Sequence, residues 1–95
     1  MTHIWATVNI EDLQKFIGVF STAGAAARRS HGSRGCRVFT VPGVEGQVRV
    51  LFTWESQEAF EGFLNDAAVR ATMQSSGTVG RPEFLLLNEL ATFPG

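Results

Sequence analysis

Four apolar residues in a row, Phe84-Leu85-Leu86-Leu87, set the tightest limit on how this chain folds. The segment from Phe84 to Leu90 reads as a strand. Side chains alternate along a strand, so Phe84 and Leu86 face one way and Leu85 and Leu87 the other. Both faces of that strand need cover. Gln47 to Trp54 sorts itself in the same manner: Val48, Val50, Phe52 and Trp54 share one face, and Arg49, Leu51 and Thr53 the other. His3 to Val8 and Cys36 to Val41 complete a set of four strands. Pro42-Gly43-Val44-Glu45-Gly46 supplies a hairpin loop between the second and third.

Helical spacing occupies the gaps. Leu13, Phe16, Ile17 and Phe20 form one apolar stripe, which Ala23 and Ala27 extend and Gly24 weakens. Asn9 is placed to cap this helix, Glu11 and Asp12 lie in its first turn, and its end is expected near Arg29. Ser56 caps a second helix that buries Phe60, Phe63 and Leu64. Asp66 caps a short helical piece running through Val69 and Met73, stopped by Gly77, and Pro82 opens the final segment. The order is βαββαβ. It predicts an α+β fold of the ferredoxin-like kind: one antiparallel sheet of four strands with helices on one face. Helices on one face leave the other bare, and a last strand apolar on both sides makes that bare face greasy. A homodimer with the two sheets packed face to face is therefore expected.

Ninety-five residues make one domain with a thin core, and 44% apolar content with eight Phe and two Trp is enough to fold without a disulfide or a metal. The lone Cys36 has no partner for an internal bridge, and no Cys/His spacing suits zinc, so a cytoplasmic location is expected. No apolar run is long enough to cross a membrane, and MTHIW does not open a signal peptide. A net charge of −1 gives no general pull toward nucleic acid or acidic lipid. RGCRVFTV, Arg34 to Val41, superficially matches an RNA-recognition consensus. It falls on the second strand rather than the third, however, and puts Cys36 where a base-stacking aromatic is needed.

The stretch VLFTWESQEAFEGFLNDAAVRATM, Val50 to Met73, together with the glycine-rich Gly32-Ser33-Arg34-Gly35-Cys36, resembles dimeric α/β-barrel proteins of the antibiotic-biosynthesis-monooxygenase type. The shared pattern is a strand ending in an aromatic, a small capping residue, an apolar helix face and a second short helix. The resemblance covers less than a third of the chain. It implies a small dimer with a pocket between sheet and helices in each subunit. It also implies, for some members, oxidation of aromatic or quinol substrates by molecular oxygen with no metal, flavin or other cofactor, and for a related branch haem degradation. Phe63 stands where monooxygenase-like members often carry a histidine and haem degraders a tryptophan. Met73 stands where haem degraders carry the histidine that binds iron, so haem chemistry is not expected here.

Within that frame the ligand-binding candidates are Trp5, Trp54, Phe63 and Met73. Trp54 reads mainly as a plug at the strand-helix junction, with stacking on a flat substrate as its other use. Trp5 shares a strand face with His3, Thr7 and Asn9, a mixture that suits a pocket wall. A cofactor-free oxygenase must deprotonate a phenol or quinol, whose anion then gives an electron to oxygen. His31, of the side-chain type that most often serves as a base near neutral pH, and Asn9 are the catalytic candidates. Arg37 and Arg49 are available to stabilise an anion or to pair with Glu83 or Glu89, and Cys36 reads as a structural thiol. Two functions compete: such an oxygenase, or a non-catalytic ligand-binding or assembly module.

Overall fold

Strand pairing sets the frame. In the computed structural model, which describes residues 1–95, β1 (Thr2–Ile10) runs antiparallel to β3 (Gln47–Trp54) on one side and to β4 (Thr78–Leu87) on the other. β2 (Ser33–Phe39) pairs with β3, giving a four-stranded sheet in the order β2-β3-β1-β4. Four helices complete the fold: α1 (Leu13–Phe20), α2 (Ala23–Ser30), α3 (Gln57–Asn65) and α4 (Ala67–Ser75). This is the expected ferredoxin-like α+β architecture, with each of the two helical segments divided into a pair.

The alternation read from β3 sorts the sheet. Val48, Val50, Phe52 and Trp54 are buried, together with Ile4, Ala6, Val8 and Ile10 of the neighbouring β1. Phe16, Phe60, Phe63 and Val69 come down onto them from α1, α3 and α4. Leu13 and Ile17 of the expected stripe stay 42% and 39% exposed, so only part of α1 is sealed by this subunit. On the other side of the sheet no helix lies. Trp5, Leu51 and Leu85 stand in register across β1, β3 and β4, flanked by Phe39 and Leu87. The greasy second face therefore exists, with Leu85 59% exposed.

Three local expectations are corrected. Asn9 does not cap a helix: β1 continues to Ile10 because it is paired on both edges, Asn9 with Gln47 and Ile10 with Thr78. The cap is Asp12, whose carboxylate accepts the Lys15 amide at 2.8 Å. The first helix does not run unbroken to Arg29. The Thr22 hydroxyl donates to the Gly18 carbonyl at 2.7 Å, offering the backbone an alternative to the helical ladder, and the chain breaks at Ser21-Thr22. Strand limits shift as well. β2 begins at Ser33 and ends at Phe39, and β4 begins at Thr78, just after Gly77, whose φ of 78° turns the chain out of α4. β4 passes straight through Pro82. A proline is tolerated there because β4 is an edge strand and its register against β1 slips between Thr7 and Asn9. Ser56 and Asp66 do cap α3 and α4, accepting the amides of Ala59 at 3.1 Å and Ala68 at 2.8 Å.

Candidate functional site

Helices resting on a twisted sheet at a few points leave space between them, and here that space is an open-mouthed cavity of about 70 Å³. Its walls are phenylalanine: Phe16 and Phe20 from α1, Phe52 from β3, Phe63 from α3 and Phe84 from β4. Val69 and Met73 of α4 close one side. The polar lining is sparse. The Thr72 hydroxyl donates to Ala68 O at 3.0 Å; the Ser76 hydroxyl donates to Met73 O and lies 3.0 Å from Thr78 Oγ1. These groups are tied into the turn that ends α4. The one charged residue on the wall is Arg28 of α2.

Arg28 is held by packing. Its Cζ lies 3.8 Å from the centroid of the Phe20 ring, a cation–π contact. Gly24, one helical turn earlier, leaves room beside it: a Cβ there would sit 3.2 Å from both Arg28 Nη1 and the Val19 carbonyl oxygen. Burial pulls the Arg28 guanidinium below its ordinary pKa. The nearby Cys36 thiol acts in the opposite direction, and Arg29 adds to the lowering.

The expected site residues fall in four places. Phe63 and Met73 line the cavity. Trp54 is fully buried behind the wall, its rings 4.9 Å from Phe63 and 5.6 Å from Phe60 between centroids, and its Nε1 has no hydrogen-bond partner in the protein. Trp5 does not line the cavity. Alternation puts it on the bare side of the sheet, where its ring lies 6.0 Å from Phe39. Asn9 is on that side too, accepting a hydrogen bond from Gln47 Nε2 at 3.3 Å, and His3 Nδ1 lies 3.2 Å from the Thr53 hydroxyl. Arg37 and Arg49 do not pair with Glu83 or Glu89. Arg37 stands over the Phe39 ring at 5.4 Å, and Arg49 Nε donates to Gln47 Oε1 at 3.2 Å. Cys36 is half-buried, and its thiol pKa is raised by that burial. Arg28 itself gave no sequence signal beyond its place in a polar Arg-Arg-Ser run.

His31 is neither loose in its loop nor in the cavity. It ends α2, and its Nε2 lies 2.8 Å from Asp66 Oδ2, joining the end of α2 to the cap of α4. Its ring meets the edge of Phe63 at 5.8 Å. The hydrogen bond from His31, and after it the Ala68 amide, hold the Asp66 carboxyl below its ordinary value of 3.8. A depressed folded-state pKa stabilises the fold above the ordinary value, and that contribution is lost as pH falls through the lower, folded value. Asp66→Asn is therefore expected to flatten the acid limb of the stability-pH profile below about pH 4, where a free carboxyl titrates. Urea denaturation across that range reads this out.

The donor set also speaks to haem. No imidazole or carboxylate lines the cavity, and the Met73 thioether stands without the histidine that usually accompanies it on haem iron. No three His, Cys, Asp or Glu side chains come together to hold a metal ion. The residues present do not fit a haem site.

No protein-family model and no curated protein matches the chain in sequence. Solved structures match it in shape. SnoaB, a cofactor-independent oxygenase from Streptomyces nogalater, superposes with a TM-score of 0.78 at 14% identity, covering 99% of this chain and 97% of its own. A Caulobacter crescentus CB15 protein assigned provisionally to the antibiotic biosynthesis monooxygenases gives 0.75 at 18% identity, over 95% and 90%. A point variant of MhuD with two manganese protoporphyrin IX molecules per active site gives 0.68 at 20% identity over 100% of each chain.

Proposed function

Starting from the fold of the antibiotic-biosynthesis-monooxygenase proteins, we propose that this chain is a small-molecule-binding protein that takes a flat, largely apolar compound into the cavity between sheet and helices. The observation that carries this reading is the wall itself: five phenylalanines around one apolar cavity, with a few polar groups at its margin. Ligand sites in general have that make-up. A cytoplasmic homodimer closed through the bare sheet face belongs to the same reading. Trp5, Leu51 and Leu85 would then lie at the subunit contact and Trp54 behind the ligand. Titration with ring compounds of increasing size, followed by calorimetry, tests it. Wild type is expected to bind at least one with a Kd under about 1 mM, the weak end of measurable affinity. Ala27→Leu, which extends a side chain into the cavity, is expected to lose that binding. Failure of the whole panel overturns the proposal.

Cofactor-independent oxygenation of a quinol is a second reading, favoured by the likeness to SnoaB. Against it stands the lining, which offers no carboxylate or imidazole as base; His31 lies behind Phe63, bound to Asp66. Oxygen uptake with anthrones and hydroquinones separates the two readings. Uptake above the protein-free rate establishes oxygenation, and its absence with binding intact leaves a binding module.

A further inference from the structure

We propose that the ligand is an aromatic carboxylate, its rings among Phe20, Phe52 and Phe84 and its carboxylate on Arg28; this rests on the cavity being a ligand site. A half-buried cation has lost part of its water and gains from a counter-charge, and Arg28 has none in the chain. The three ion pairs are Lys15–Glu11, His31–Asp66 and Arg34–Glu55. The side-chain hydrogen bonds likewise leave the Arg28 guanidinium out. Its neighbour Arg29 adds like charge, and the only group opposing it is the Cys36 thiol, whose own burial disfavours the thiolate. An anion arriving at this point supplies what the fold withholds.

Geometry favours the same answer. The Phe20 ring orients the guanidinium before any ligand arrives, and Gly24 leaves the space beside it open. Its N–H donors, free of internal partners, remain for a planar two-oxygen acceptor, which a carboxylate matches in fork-to-fork fashion. Arg28 also forms part of a shallow outer cleft with Arg29, Ser33, Arg34 and Cys36. Within that cleft Arg34 is neutralised by Glu55 at 2.9 Å, so the uncompensated charge belongs to Arg28 and Arg29. Arg28 is thus the hinge between an apolar interior and a positive exterior. A ligand that bridges the two carries a ring at one end and a single negative charge at the other. Phenylalanine walls favour a flat ring over a flexible alkyl chain because they stack on its face.

Calorimetry with 2-naphthoate and its neutral analogue 2-naphthamide at pH 7 tests the assignment. Wild type is expected to bind the carboxylate about tenfold more tightly, as a charge-assisted pair on a half-buried site allows. Arg28→Met is expected to erase that preference and leave the amide's affinity within about threefold, and Arg28→Lys to restore part of it. Arg29→Met, on the outer cleft alone, is expected to change either affinity by less than about threefold. Circular dichroism confirms that each variant is folded, and the comparison of the two ligands on wild type needs no variant. Equal affinities on wild type, or a preference that survives Arg28→Met, overturn the anion assignment and leave the cavity reading standing. Binding of neither compound nor of any member of the ring panel overturns both.

Discussion

Replacing Trp54 with alanine is expected to remove about 3–5 kcal/mol of stability, the usual cost of emptying a large aromatic site in a core. A domain of this size has about 5–15 kcal/mol in total, so the melting temperature should fall by roughly 15 °C or more. The residue is fully buried at the end of β3 and touches Phe52, Phe60 and Phe63, joining the sheet to α3. Trp54→Phe should behave differently. The smaller ring leaves a void, but it also removes an indole N–H that is buried without a partner. An unpaired buried donor costs about 1–3 kcal/mol, so the two effects should cancel to within about 1 kcal/mol. Chemical denaturation of both variants checks the pair. If the alanine variant is as stable as wild type, Trp54 is not the plug that its burial indicates.

The second large effect concerns the bare face of the sheet. Trp5, Leu51, Phe39, Leu85 and Leu87 make a patch that soluble monomers avoid. In the proposed homodimer a twin subunit related by a two-fold axis would cover it with the same patch. Leu85 is 59% exposed in the single subunit, so Leu85→Glu should hardly disturb folding. In a face-to-face pair the same change buries a carboxylate in each subunit. At several kcal/mol per uncompensated buried charge, the Kd of the dimer should rise by at least about 100-fold. Sedimentation velocity should show wild type as a dimer at tens of micromolar and the variant as a monomer. A wild-type monomer at that concentration removes the dimer from the proposal, whatever the variant does.

Legibility in the sequence followed the physics of each segment. Along β3 one side is wholly covered and the other is not, so Val48, Val50, Phe52 and Trp54 declared themselves by alternation alone. Ser56 and Asp66 were equally plain, because a side-chain cap acts within three residues of itself. Asn9 misled because pairing partners far along the chain, Gln47 and Val79, hold it extended past the point where a helix could begin. The break at Thr22 turned on a hydroxyl choosing a backbone carbonyl over water, a choice no periodicity reveals. Alternation groups Trp5 with His3, Thr7 and Asn9, yet it says only that two sides exist and not which one the helices cover. Arg28 was hardest to see. Its sequence setting is a solvated helix end, and its role on the wall arises from a glycine one turn earlier and a phenylalanine eight residues back, both read as parts of an ordinary helix.

The irregularities on the sheet's outer strands have a consequence of their own. On β4 a proline withholds an amide close to a slipped register, and on β2 the pairing slips again between Ser33 and Gly35. Neither rim offers a straight ladder onto which a foreign strand could zip. Association sideways into ribbons or fibrils is thereby discouraged, and the proposed back-to-back pair is the arrangement that would cover this grease and stop growing once formed.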